Sequence, residues 1–196
     1  RNAQFLKDIG APGIGNSSQD YNFETFIKEI FFDSDTTMGL ISGIPSPSDG
    51  DNWGQPHRKN LLPVDMAAAA RDQVNEMAGS QRMLVHGQIA PNHHSTFAEV
   101  AEEMEREVTE LHIDAWKHYT HNPLTTVPWR YDDPKIAYPF WEKSLELGMD
   151  VTCVHKGLAD TSPHEAFAHP GDIKQAALDF PEMNFLVYHS GMRHGY

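Results

Sequence analysis

Cysteine is nearly absent from this sequence, and its scarcity rules out one class of fold. Cys153 is the single cysteine among 196 residues, so the chain cannot build an internal disulfide framework. Its position within the apolar run "DVTCVHKG" predicts a buried, unreactive thiol. Long hydrophobic runs are missing as well: none approaches the roughly 20 residues of a membrane-spanning helix. The opening "RNAQFLKDIG" lacks the apolar core of a signal peptide. We therefore expect a soluble protein with a cytoplasmic location and no membrane partner.

Basic residues and glycine-rich loops are also scarce. The chain has 15 Lys and Arg against 28 Asp and Glu, a formal net charge of -13. Nucleic-acid binding requires clustered basic side chains against phosphate, so this balance argues against a nucleic-acid partner. No Gly-x-Gly-x-x-Gly motif follows a predicted strand, which argues against a nucleotide-binding α/β protein. A small molecule is the expected substrate.

Short apolar runs alternate with helical patterns along most of the chain. After a loop-like lead-in at 1–22, rich in Gly, Pro, Asn and Ser, we predict one domain over 1–196. Apolar rather than alternating strands are typical of a parallel sheet covered by helices, so the predicted class is α/β. The predicted strands end 32 to 43 residues apart, at Gly43, His86, His118, His155 and His189. A (β/α)8 barrel of roughly 250 residues has about 31 per unit. A doubly wound sheet has similar spacing, so periodicity leaves both open.

Histidines stand at the ends of four predicted strands. Two of them, in "DVTCVHKG" and "NFLVYHSG", lie one supersecondary unit apart as His155 and His189. Functional groups of parallel α/β folds collect at the carboxyl ends of strands. Residues at the same level of adjacent strands lie about 5 Å apart. Neutral imidazole is a good zinc ligand, so the pair is predicted to converge on one metal ion or one water.

The remaining candidates have plain structural alternatives. A single strand-end histidine commonly bonds to a loop carbonyl, and we expect this of His86. For His118 a structural and a functional role stay equally open. Lys117 is charged within an apolar strand, and it either faces a helix and extends to solvent or points into the site. Asp33 and Asp35 precede a strand, so we expect them in a helix-to-strand turn rather than in a metal site.

Several stretches together are similar to a known family. They cover most of residues 23 to 192 and read "FFDSDTTMGLISGIP", "NEMAGSQRMLVHGQIAPN", "DPKIAYPFWEKSLELGMDVTCVHKG" and "DFPEMNFLVYHSG". As a set they resemble the amidohydrolase-2 branch of the amidohydrolase superfamily. These are metal-dependent TIM-barrel hydrolases and non-oxidative decarboxylases. The resemblance implies a (β/α)8 TIM barrel of which strands two to six are visible here.

The resemblance also implies roles for particular residues. His155, at the end of the fifth barrel strand, would be a metal ligand. His189, at the end of the sixth, would be either a ligand or the acid and base that handles water or substrate. Lys117 lies in the fourth strand, where other branches carry a carboxylated lysine, and His118 follows it. The expected catalytic residues are therefore His189, Lys117 and His118, and the expected metal ligands are His155 and His189, with zinc as the divalent ion.

The sequence departs from the family in two places. The family has His-x-His at the end of its first strand, and this sequence contains no His-x-His. The family's aspartate at the end of strand eight is also missing, because the sequence stops at "HSGMRHGY". We therefore expect the sequence to be part of a longer protein. The expected function is a metal-dependent hydrolase of C–N or C–O bonds. The alternatives are a non-oxidative decarboxylase of the same family and a non-catalytic barrel subunit of a larger complex. Homo-oligomers are common among such enzymes, so the resemblance leaves a homo-oligomer open.

Overall fold

The computed structural model describes residues 23–44, 62–93, 96–121, 128–157 and 165–192. The predicted lead-in at 1–22 and the polar loop at 46–60 lie outside the described residues. The chain divides into two compact units, residues 1–39 and residues 40–196. Each unit is described by itself below.

The first unit contains a short helix that ends in a polar turn. Helix α1 (Phe23–Ile27) continues as a π-helical turn (Lys28–Phe32). Asp33 follows directly and pairs with the Lys28 ammonium, while Ser34 Oγ donates to the Ile30 carbonyl at 2.5 Å. The helix-to-strand turn expected at this aspartate is therefore present.

The second unit alternates strands with helices. Its elements, counting the strand that begins at the unit boundary, are β1 (Gly39–Ile41), α2 (Val64–Ala78), β2 (Met83–Gly87), α3 (Phe97–Thr109), β3 (Ala115–Tyr119), α4 (Tyr138–Glu146), β4 (Val151–His155), α5 (Glu165–Ala168), α6 (Gly171–Asp179) and β5 (Asn184–Tyr188). The five strands lie side by side in the order β1-β2-β3-β4-β5, and the pairs β2–β3, β3–β4 and β4–β5 are parallel. A doubly wound sheet reverses its strand order at a switch point, and this sheet does not. The predicted α/β class is confirmed, and the sequential order is that of an incomplete barrel.

Local signals in the sequence account for the helix ends. Thr96 Oγ1 accepts from the Glu99 amide at 3.4 Å, and Glu99 Oε2 accepts from the Thr96 amide at 3.0 Å. Thr96 and Glu99 thus form a capping box at the start of α3, a signature that their spacing in the sequence already contains. Gly79 ends α2 with a left-handed φ of 60°, a conformation that glycine adopts without steric cost. Within the described residues, no helix has both the length and the apolar character needed to cross a bilayer.

The helices pack on one face of the sheet and bury a large aromatic core there. Trp116 of β3 donates from Nε1 to Ser144 Oγ of α4 at 2.6 Å, and Trp141 Nε1 donates to the Tyr131 carbonyl at 3.1 Å. Val85, Val154 and Phe185 of the neighbouring strands belong to the same cluster, called here the helix-side core. Because side chains alternate along a strand, the residues between them point to the opposite, inner face.

A buried ion pair connects β4 to α6. Lys156, which follows β4, donates from Nζ to Asp172 Oδ2 at 2.7 Å and to the Phe167 carbonyl at 2.8 Å. Both charged side chains are almost completely buried, at 0% and 1% exposure. Asp172 Oδ2 also accepts from the Tyr131 amide at 2.9 Å, so one carboxylate holds two loops and a helix start together.

This pair generates a stability prediction. Asp172→Asn leaves the Lys156 ammonium buried without its counter-charge and is expected to lower the free energy of unfolding by about 3–5 kcal/mol. The double variant Lys156→Met with Asp172→Leu replaces both charges by apolar groups and is expected to cost much less. Urea unfolding followed by circular dichroism measures both. Equal losses in the two variants would contradict the assigned role of the buried charge.

Candidate functional site

His155 is the last residue of β4 and projects from the inner face. Its neighbour Val154 belongs to the helix-side core, so alternation turns the imidazole to the other side. In the sheet register His155 is paired with Tyr119 of β3. The two rings are stacked, with centroids 4.6 Å apart and planes 19° from parallel. This contact restricts the orientation of the His155 ring.

His189 contacts His155 through its ring nitrogen. The distance from His189 Nε2 to His155 Nδ1 is 2.9 Å, which is a hydrogen bond. The two histidines were expected to lie at the same level of adjacent strands, and the structure shows that they do not. The register pairs His155 with Tyr188, so His189 lies one position further and alternation would turn its side chain away.

A left-handed turn after β5 brings the His189 side chain back to the inner face. His189, Ser190 and Gly191 have φ values of 58°, 51° and 62°. Only the last of these is a residue that adopts this region without strain. Consecutive strained residues at the end of a strand are typical of functional sites, because the surrounding structure has to hold them in place. The histidine contact therefore depends on backbone conformation that no strand pattern contains.

The protonation state of His155 follows from its surroundings. Burial, and then the nearby His189, His121 and Lys117, lower the pKa of the His155 imidazole to about 3. The imidazole is therefore neutral at neutral pH, the form in which it can bind a metal ion or accept a proton. The His121 ring, whose centroid lies 5.2 Å from that of His155, is buried.

Lys117 points to the inner face, which settles the alternative left open by the sequence. The residue is 2% exposed, and its Nζ lies 4.0 Å from the Tyr119 ring centroid and 4.7 Å from that of Tyr188. Burial lowers the pKa of the Lys117 ammonium to about 7. Side-chain alternation along β3 and β4 places Lys117 and His155 on the same side of the sheet, and the lysine charge contributes to the lowered pKa of His155.

His118 lies on the opposite side and is not brought to the histidine pair. Its Nδ1 is 2.9 Å from the Tyr131 hydroxyl and its Nε2 is 3.1 Å from the Ile89 carbonyl. The ring is fully buried and has edge contacts with Trp129 and Phe140. His118 is thus part of the helix-side core. Strand alternation already contained this signal, since two consecutive residues such as Lys117 and His118 cannot face the same side.

His86 and Cys153 complete the inner face. His86 Nδ1 lies 3.0 Å from Ser42 Oγ, and burial together with Lys117 lowers the pKa of His86 to about 4. The hydrogen-bond partner of His86 is thus a side-chain hydroxyl, where a loop carbonyl was expected. Cys153 is buried as predicted, and burial raises the pKa of its thiol.

The histidine pair fits part of a metal site. Two nitrogen ligands of one tetrahedral zinc, each at about 2.0–2.1 Å, lie roughly 3.3 Å apart, close to the separation found here. The described residues contain no group of three or more His, Cys, Asp or Glu side chains placed to hold a metal. His155 and His189 can therefore supply two ligands, and the remaining ligands have to come from outside the described residues.

Comparison with known proteins finds matches among solved structures, including the following two. No protein-family model matches the chain, and no curated protein sequence matches it. The 4-oxalomesaconate hydratase LigJ from Rhodopseudomonas palustris is 18% identical with a TM-score of 0.49, covering 97% of this chain and 57% of that one. A 2,6-dihydroxybenzoate decarboxylase from Rhizobium is 18% identical with a TM-score of 0.39, covering 65% of this chain and 46% of that one. The chain thus spans less than two thirds of either structure.

Titration of His155 tests the electrostatics of the site. In the folded, metal-free protein, the ring signals of His155 in NMR spectra are expected to stay those of a neutral imidazole from pH 7 down to about pH 4. The reason is that burial disfavours the charged ring. The same residue in urea-unfolded protein is expected to titrate near pH 6.5. A folded-state midpoint near 6.5 would contradict the described environment.

A pair of glycine substitutions tests how closely Gly157 packs against the left-handed turn that follows β5. A Cβ on Gly157 (φ +77°) would lie 2.2 Å from the Met192 carbonyl oxygen, whereas one on Gly148 (φ +76°) meets nothing within 4 Å. Gly148→Ala is expected to cost about 1 kcal/mol of unfolding free energy from backbone strain alone. Gly157→Ala is expected to cost at least about 2 kcal/mol and to break the His155–His189 hydrogen bond. NMR signals of the two imidazoles, unchanged in both variants, would disprove this.

Proposed function

We propose that this chain is part of a metal-dependent hydrolase of the amidohydrolase type, acting on a C–N or C–O bond of a small organic substrate. One observation carries the proposal. The imidazoles of His155 and His189 meet at 2.9 Å beyond the carboxyl ends of adjacent parallel strands. This is the edge of a parallel α/β sheet at which catalytic groups are found.

His155 is the residue best suited to hold the metal. Its ring is neutral at neutral pH, half-buried and restricted by stacking on Tyr119. Zinc bound at such a site lowers the pKa of a water molecule and polarises a carbonyl group. Ligands beyond the described residues would complete the coordination.

His189 is the residue best suited to move protons. Its side chain is exposed on the inner side, so water and substrate reach it directly. An imidazole there can accept a proton from the attacking water and return it to the leaving group. The hydrogen bond to His155 and the strained turn hold it in position for that transfer.

Metal affinity of single variants tests the proposal. The complete 196-residue chain, stripped of metal with a chelator, is titrated with Zn²⁺ against a chromophoric competitor. His155→Ala is expected to weaken zinc binding at least about tenfold because it removes a ligand, and His189→Ala by a similar factor because it removes the hydrogen-bonded partner that orients the His155 ring. His112→Asn, an exposed histidine with a φ of 50° that asparagine tolerates, is the matched control and is expected to bind as the parent does.

Hydrolysis is then measured on the zinc-loaded chain with small lactones and amides. The proposal is overturned if zinc binds equally well to the parent and to both variants. It is overturned as well if neither the zinc-loaded chain nor a longer natural protein that contains it hydrolyses any of these compounds.

A further inference from the structure

We propose that Lys117 is a proton-coupled anion site. A carboxylate of a small organic ligand binds the amine, and the amine takes up a proton as the carboxylate binds. The anion site itself requires no metal. Only the further statement that this carboxylate belongs to the substrate of the histidine pair rests on the proposed function.

Two buried lysines of this fold differ in one respect. Lys156 is completely buried and has Asp172 as its counter-charge at 2.7 Å. Lys117 is 2% exposed, yet among the residues that the structure describes no carboxylate pairs with it. Its amine donates one long hydrogen bond, 3.3 Å to the His118 carbonyl. Burying an ammonium without an anion costs free energy, and the described residues supply no counter-charge for Lys117.

The nearest partners of the amine are aromatic rings. Tyr119 and Tyr188 lie on either side of Nζ, with ring centroids at 4.0 and 4.7 Å. Such cation–π contacts return less free energy than an ammonium loses on burial. Both rings are only half-buried, so they form the border between the amine and the open inner face.

The titratable groups that face Lys117 are neutral at neutral pH. Burial raises the pKa of the Tyr119 and Tyr188 phenols and of the Cys153 thiol. Burial also lowers the pKa of the two imidazoles, His86 on β2 and His155 on β4, to about 4 and about 3. An incoming carboxylate would therefore meet no negative charge from these groups and would be the counter-ion of the amine.

Binding and protonation are linked by the energetics of the amine. Burial lowers the pKa of Lys117 to about 7 in the described state, so part of the population is neutral at neutral pH. A bound anion favours the ammonium and raises that pKa. The protein must then take up a proton as the anion binds, and the affinity must fall as the pH rises above about 7.

The position of Lys117 along its strand indicates which carboxylates are suitable. Lys117 lies two residues before Tyr119, the residue that stacks on His155. Two residues of a strand span about 6–7 Å. A ligand with its carboxylate at Lys117 would therefore present a bond a few atoms away to the histidine pair. The expected substrate class is a short-chain or ring compound that carries a carboxylate apart from its reacting bond.

Calorimetric titration of the metal-free chain with acetate tests the site. Titrations at pH 6, 7 and 8 in buffers of different ionisation enthalpy report affinity and proton uptake together. From the pKa of about 7, acetate affinity is expected to fall about tenfold between pH 6 and pH 8. Proton uptake is expected at pH 7 and above.

Three variants separate charge, coupling and folding. Lys117→Met removes the buried amine, is expected to fold, and should lose both acetate binding and proton uptake. Lys117→Arg keeps a permanent charge, so it should bind acetate without proton uptake. Lys143→Met changes a surface lysine paired with Glu146 and should behave as the parent does.

Each outcome decides one statement. Unchanged acetate binding in Lys117→Met, or binding by the parent without proton uptake, overturns the anion site. Phosphate or chloride binding as tightly as acetate overturns the assignment to carboxylates. Zinc affinity of Lys117→Met is measured in parallel and is not expected to fall, because the substitution removes a positive charge near His155. Failure of zinc binding in every form would reject the metal-dependent function while leaving the acetate result standing.

Discussion

The alternation of side chains along the parallel strands is the constraint on which the rest of the structure depends. On β3, Trp116 and His118 face the helices and enter the aromatic core, while Lys117 faces the inner side. The same alternation separates Val154 from His155 on β4. Burying the apolar set against helices α2, α3, α4 and α6 leaves the polar set together on the other face. The candidate site is thus a consequence of core packing.

Burial then sets the chemistry of the polar residues on that face. Removal from water disfavours charge, so the imidazoles of His86 and His155 are neutral and the Lys117 amine loses part of its charge near pH 7. On the helix side, the equally buried Lys156 is paired with Asp172 instead. The difference between these lysines is one of partner rather than of depth. Lys156 has its counter-charge within the fold, whereas Lys117 has no carboxylate partner among the described residues.

Much of the fold was predictable, and the site was predictable in part. Apolar runs and helix caps such as Thr96 and Glu99 indicated the elements, because these signals act within a few residues. The proximity of His155 and His189 was also predicted, as both end adjacent strands. The burial of His121 beside His155 has no signal in the sequence, since the neighbours of His121 are those of a loop. The role of His118 stayed open at the level of the sequence, although Lys117 and His118 are consecutive in one strand and therefore face opposite sides of the sheet.

By itself, the sequence determined the α/β class, the parallel strands and the meeting of two histidines at one edge, because hydrophobic pattern and strand spacing are local properties. The tertiary structure alone decided the sequential strand order, since a doubly wound sheet has the same spacing along the chain. It also decided how His189 reaches His155. The register pairs His155 with Tyr188, and the left-handed turn at 189–191 makes up the remaining step. The Met192 amide donates to the His189 carbonyl within that turn, and the turn packs closely against Gly157, a long-range approach that no local pattern encodes.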